Sequence, residues 1–169
     1  MTERITTGVP GLTLRFAEAA DTGLILELVR ELAEYERLSH EVRADVPTLR
    51  DALFGARPAA EVVIAEHEGR PAGFALFFGN FSTFVGRPGI YLEDLFVRPA
   101  FRRLGIGRAL LTWLAALAAE RGCGRLEWAV LDWNKPAIDF YRTLGATPMD
   151  QWTVFRVAGP ALAELARGK

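Results

Sequence analysis

A mixed α/β domain is the fold class this sequence predicts. Segments with strand-like and helix-like periodicity alternate along the chain. Its 169 residues suit one domain, taken here as 1–169, and a 50% hydrophobic composition can fill a core. There is no internal repeat and no low-complexity tract.

The elements follow in order. Residues 12–16 alternate apolar and polar and read as a strand. Asp21 reads as the N-cap of a helix over 22–38, with Leu24, Leu28, Leu32 and Tyr35 at helical spacing. Asp45 caps a shorter helix that tolerates Pro47 in its first turn and ends near Gly55. Val62, Val63 and Ile64 mark a strand over 61–66, and Glu68-Gly69-Arg70 turns it into a second strand over 72–78. Residues 81–87 read as a loop and 89–97 as a central strand stopped by Pro99. A long helix over 105–121 carries Ile106, Leu110, Trp113, Leu114 and Leu117 on one face and ends at Gly122. A strand over 125–131 follows, then a helix capped by Asn134 with Pro136 in its first turn and Gly145 past its end. Residues 152–157 read as a last strand, and Pro160 opens a C-terminal helix.

Composition excludes several function classes. A net charge of −1 offers no general attraction to nucleic acid or to an anionic membrane. The polar stretch 1–10 lacks the apolar core of a signal peptide, and no run of about eighteen apolar residues exists. Cys123 is the only cysteine, so no internal disulfide forms; it reads as a small structural residue in a protein of the cytoplasm. His40 and His67 lack metal-ligand spacing, so no metal site is expected.

The segment that points to chemistry is Arg102-Arg103-Leu104-Gly105-Ile106-Gly107, placed between a strand and a helix. Its glycines let the backbone turn and let a ligand approach. The amides of residues 104–108 are then the unsatisfied donors of a helix start, which bind phosphate without a lysine. Arg102, Arg103 and Arg108 add positive charge. The segment is no P-loop, because Gly107 is followed by Arg108-Ala109, and no dinucleotide fingerprint, because position 110 is leucine.

Together with this segment, Tyr91-Leu92-Glu93-Asp94-Leu95-Phe96-Val97 and Pro99 resemble the GNAT acetyltransferases. The run Ala129-Val130-Leu131-Asp132-Trp133-Asn134, with Ala137, Phe140-Tyr141 and Leu144-Gly145-Ala146, is similar to that family's second signature. Within the family the chain looks like the diamine branch, with its spermidine/spermine and thialysine members. The resemblance implies a twisted mixed sheet of six or seven strands flanked by helices, with acetyl-CoA entering where strands 89–97 and 125–131 splay apart. It implies that residues 102–108 hold the pyrophosphate and that the backbone of Phe96 and Val97 pairs with the pantetheine arm.

An alkylamine titrating near ~10 must lose a proton before it attacks a thioester. Glu93 and Asp94 are adjacent on a strand, so alternation sends their side chains to opposite faces. The resemblance favours Glu93 as the proton acceptor, acting through water, with Asp94 the alternative. A bland role remains for both acids as partners of arginines such as Arg98. Asn134, Ala137 and Tyr141 share one helix face that lines the cofactor. Tyr141 matches the family's tyrosine acid. Because tyrosine titrates near ~10 and a thiol near ~8.5, its role is a hydrogen bond to the developing thiolate. Trp152 and Glu36 are candidate amine contacts, and Phe81 and Phe84 shape that pocket. The polyamine enzymes carry an acid where this chain has Ser82-Thr83-Phe84. A diamine, a polyamine or a thialysine-like amino acid is the expected acceptor, with thialysine favoured over spermidine, and a homodimer is expected. A protein lysine or N-terminal acetyltransferase, a non-catalytic acyl-CoA sensor and a nucleic-acid-binding domain are the alternatives.

Overall fold

The computed structural model describes residues 4–168; residues 1–3 and 169, which the expected domain also takes in, lie outside the described residues. The chain falls into two compact units that divide between residues 129 and 130, and each is described by itself.

The first unit is one six-stranded sheet, in the sequential order β1 (Ile5–Thr6), β2 (Leu12–Phe16), β3 (Glu61–His67), β4 (Arg70–Ser82), β5 (Arg87–Val97), β6 (Leu126–Trp128). All neighbours are antiparallel except β5 and β6, which are parallel. The β3–β4 turn forms where it was expected. Glu68 and Gly69 both take positive φ (51° and 74°), the two-residue geometry that matches strand twist. The expected loop 81–87 is shorter, because β4 runs to Ser82 and β5 begins at Arg87.

Helices cover both faces of the sheet. On one face, Ile25, Leu28 and Leu32 of α1 (Thr22–Tyr35) and Leu53 of α2 (Val46–Phe54) pack with Val62, Phe74 and Phe96. The other face takes α3 (Ile106–Glu120), where Trp113 meets the rings of Phe16 and Phe77 edge-on at 5.5 and 6.0 Å. Val62 and Phe74 lie in this first core while their neighbours Val63 and Ala75 are equally buried, so strands covered on both sides read as continuous apolar runs.

Two helix ends differ from expectation. Asp21 is the N-cap residue of α1, as expected, but its carboxylate does not bond the helix; it holds Arg15 in a two-pronged pair (2.7 and 2.9 Å) and accepts the Glu18 amide. The arginine and the Glu18 amide, which precedes the helix, together take up the carboxylate. At the other end α1 stops at Tyr35 and not near Leu38, because Arg37 turns left-handed (φ 61°) and the Leu38 amide donates back to the Ala33 carbonyl at 2.7 Å. Asp45 caps α2 as the sequence predicts, accepting from the Thr48 amide at 2.8 Å. Cys123 lies in the same kind of closure after α3, its amide donating to the Ala118 carbonyl.

The second unit holds α4 (Lys135–Thr143) and α5 (Gly159–Ala166). The expected strand at 152–157 does not form, and the expected strand 125–131 is reduced to β6. A strand exists only as a rung of a ladder, and the second unit contains no other strand among its described residues. Val154 and Phe155 are instead exposed by 86% and 92%.

Candidate active site

The site begins with an irregularity in β5. Asp94 pairs with Leu76 but Leu92 pairs with Phe77, so one step on β4 faces two on β5, and Glu93 is the extra residue. Such a bulge bends a strand and re-aims its side chains. The alternation that was to send Glu93 and Asp94 to opposite faces is therefore broken there. Asp94 shares the α1 face with Leu76, while Glu93 is exposed.

Pairing past the bulge sets which backbone groups look outward. The Arg98 amide donates to the Ala72 carbonyl at 2.9 Å, so alternation turns the backbone of Phe96 toward β4 as well. Leu95 and Val97 face the other side. Of the expected pair, Phe96 and Val97, only Val97 turns its backbone away from β4, and Leu95 shares that direction. On that side β6 pairs only with Ile90, Tyr91 and Leu92. Past Leu92, no strand among the described residues continues the ladder, and the edge is open for an added strand-like ligand.

Three carboxyls gather at this point. Asp94 is pushed up to about 6, first by burial and then by the charges of Glu93 and Glu36. Burial likewise raises Glu36, the C-cap of α1. Arginine does not neutralise them through Arg98, which pairs with Glu31 (2.7 Å) and Glu27 instead. The shift on Asp94 has a consequence for stability. Between the ordinary value of 3.8 and about 6 the folded protein keeps a proton that the unfolded chain has released. This contribution is full below the lower value and is lost as pH rises through the upper one. Asp94→Asn is expected to raise the melting temperature at pH 7.5 and to leave it unchanged at pH 3.5, as thermal unfolding at the two pH values will read.

Beyond β5 the chain makes a tight 3-10 turn at Pro99–Phe101, then two left-handed residues, Arg103 (φ 65°) and Gly105 (φ 83°). Gly105 is the N-cap of α3 and brings no side chain to it. The Ala109 amide donates to the Gly105 carbonyl at 2.9 Å, which opens the helical ladder, so the amides of Ile106, Gly107 and Arg108 precede it. Buried Ile106, Leu110 and Leu114 fix this helix end against the sheet. A Cβ placed on Gly107 would meet nothing within 4 Å. The fold leaves that space open, and it suits a phosphate at a helix N-terminus. Leu104 and Arg103 are exposed beside it. Arg102 turns away, toward Tyr35 and Phe96.

In the second unit the Asn134 side chain accepts from the Ala137 amide at 3.4 Å and caps α4. Tyr141 lies seven residues on, its ring 5.6 Å from that of Phe140, and its carbonyl accepts the Ala146 amide. Gly145 (φ 84°) makes that closure. Trp152 is exposed. Among the described residues no group of His, Cys, Asp and Glu is arranged to hold a metal ion, and no helix is long and apolar enough to cross a membrane.

A bulged, half-paired strand leads to a glycine-opened helix start, an arrangement suited to a phosphate-bearing carrier lying along a strand edge. The chain belongs to the acetyltransferase (GNAT) family, whose model matches residues 25–146. It is 42% identical over 164 residues to thialysine N-epsilon-acetyltransferase from Bos taurus, covering 90% of this chain and 96% of that protein. It is 32% identical to L-ornithine N5-acetyltransferase from Arabidopsis thaliana, over 88% of this chain and 85% of that one. Among solved structures, an integron cassette protein from V. cholerae superimposes with a TM-score of 0.76 at 25% identity, over 93% of this chain and 98% of that one. The protein is an acetyltransferase with the fold that its sequence resemblance implies.

Proposed function

We propose that this enzyme transfers the acetyl group of acetyl-CoA to the amino group of a small amine. The class is a diamine, a polyamine or a thialysine-like amino acid. The observation that carries the reading is the carboxyl group of three, Glu36, Glu93 and Asp94, beside the open end of β5. An ammonium is drawn to such a site, and a thioester lying along the strand edge is within its reach. The relatives named for thialysine and ornithine support the same class.

Exposed Glu93 relays the amine proton to water, and Asp94 with Glu36 holds the ammonium beforehand. The amide of Leu95 stabilises the oxyanion. Arg103, Leu104, Gly105, Ile106, Gly107 and Arg108 surround the pyrophosphate. Asn134, Ala137 and Tyr141 line the cofactor, and Tyr141 donates to the departing thiolate. Trp152 belongs to the amine side. Because the family match crosses the boundary between the two units, residues 1–169 work as one domain. A single cysteine supports a cytoplasmic setting, and the exposed Val154 and Phe155 support a homodimer.

Release of free CoA thiol from acetyl-CoA, screened over thialysine, lysine, ornithine, putrescine and spermidine, tests the reading. Saturable release with one of them is expected. Tight CoA binding with no release for any would leave a protein substrate or an acyl-CoA sensor.

A further inference from the structure

Arg102 stands among the residues expected to hold phosphate, yet its side chain runs elsewhere. Its guanidinium lies 4.7 Å from the centroid of the Tyr35 ring and 5.9 Å from that of Phe96. Its Nε donates to the Val97 carbonyl at 3.1 Å. Tyr35 is the last residue of α1 and Glu36 is the C-cap that follows it. Phe96 and Val97 close β5, two and three residues beyond Asp94. One side chain, rooted in the loop that opens α3, therefore touches both the helix that presents Glu36 and the strand that presents Asp94.

We propose that Arg102 is a positioning residue that clasps the end of α1 to the end of β5, so that the amine-binding carboxyls are held in place from the cofactor loop. The inference rests on the amine-acetyltransferase reading given above. The clasp needs a flat cation that stacks on a ring while one nitrogen points sideways to a carbonyl. A guanidinium does both at once, and a lysine ammonium of the same charge does not. A residue serving only as a positive charge for phosphate would tolerate the lysine.

The test uses the full chain with Arg102→Lys, Tyr35→Leu and the double variant. Steady-state kinetics are run with acetyl-CoA and the best amine from the screen, and amide hydrogen exchange is followed at residues 36–38. A cation–π contact at an exposed site corresponds to about a threefold to fivefold effect. The amine KM is expected to rise by about that factor in each single variant and no further in the double variant. Exchange at residues 36–38, whose amides close α1, is expected to quicken by a similar factor in Arg102→Lys. An unchanged amine KM with a raised acetyl-CoA KM would make Arg102 a plain phosphate ligand and overturn the clasp. So would factors that multiply in the double variant. If the wild-type protein acetylates no amine, the functional reading fails, and hydrogen exchange alone decides the clasp: unchanged exchange in Arg102→Lys overturns it.

Discussion

Gly107→Asp is expected to weaken CoA binding about a hundredfold, ~2.7 kcal/mol, while the protein stays folded. Both halves follow from one observation. A Cβ at position 107 meets nothing within 4 Å, so the side chain has room and the backbone needs no adjustment. An aspartate in the first turn of a helix even interacts favourably with the dipole. The same space and the same amides are what a pyrophosphate requires, and a fixed carboxylate there repels it and competes for its donors. Gly107→Ala separates shape from charge, since it fills part of the space without the repulsion. Calorimetric titration with CoA, alongside a thermal melt, reads both quantities. Unaltered binding by the aspartate variant would remove the start of α3 from the cofactor site.

Tyr141→Phe is expected to lower kcat about a hundredfold with both KM values little changed, the usual size for loss of a positioned proton donor. Phenylalanine keeps the ring, and with it the contact to Phe140 at 5.6 Å and the Schellman closure in which the Tyr141 carbonyl accepts the Ala146 amide. Only the hydroxyl is lost. A hydroxyl that binds the thiolate matters when the C–S bond breaks, so the loss falls on turnover and not on ground-state binding. Initial rates at saturating acetyl-CoA and amine measure it. A kcat within about twofold of wild type would reduce Tyr141 to a packing residue.

Much of this was legible in the residues. Local signals with a fixed geometry translated directly: Glu68-Gly69 became a two-residue turn, Asp45 and Asn134 became caps, and Gly105 opened α3. Each depends on neighbours within about four residues, which a sequence displays. The misses share the opposite property. The carboxylate of Asp21 is taken by Arg15, six residues back on β2, outside the four-residue window of a cap. Residues 152–157 are rich in strand-forming types, but composition does not supply a ladder. The bulge at Glu93 is a relation between β4 and β5, and neither strand announces it alone. The motif around Arg102 marked the turn into α3, yet it could not reveal that this side chain stacks on Tyr35, sixty-seven residues earlier in the chain. The sequence thus named candidates by type, and the directions of their side chains came from pairing.

The single extra residue in β5 works as a phase shift in the residue numbering. Before it, the strand's backbone is in step with β6, as the Ile90 amide donating to the Arg125 carbonyl records. After it, the odd-numbered residues Leu95 and Val97 inherit that outward orientation. Deleting Glu93 would make Asp94 follow Leu92 as the regular partner of Leu76, so Leu95 and Val97 would still face outward and only the bend at Glu93 would be lost. Which way the end of the strand looks is thus set by its partners on β4, and the uncounted residue contributes curvature alone.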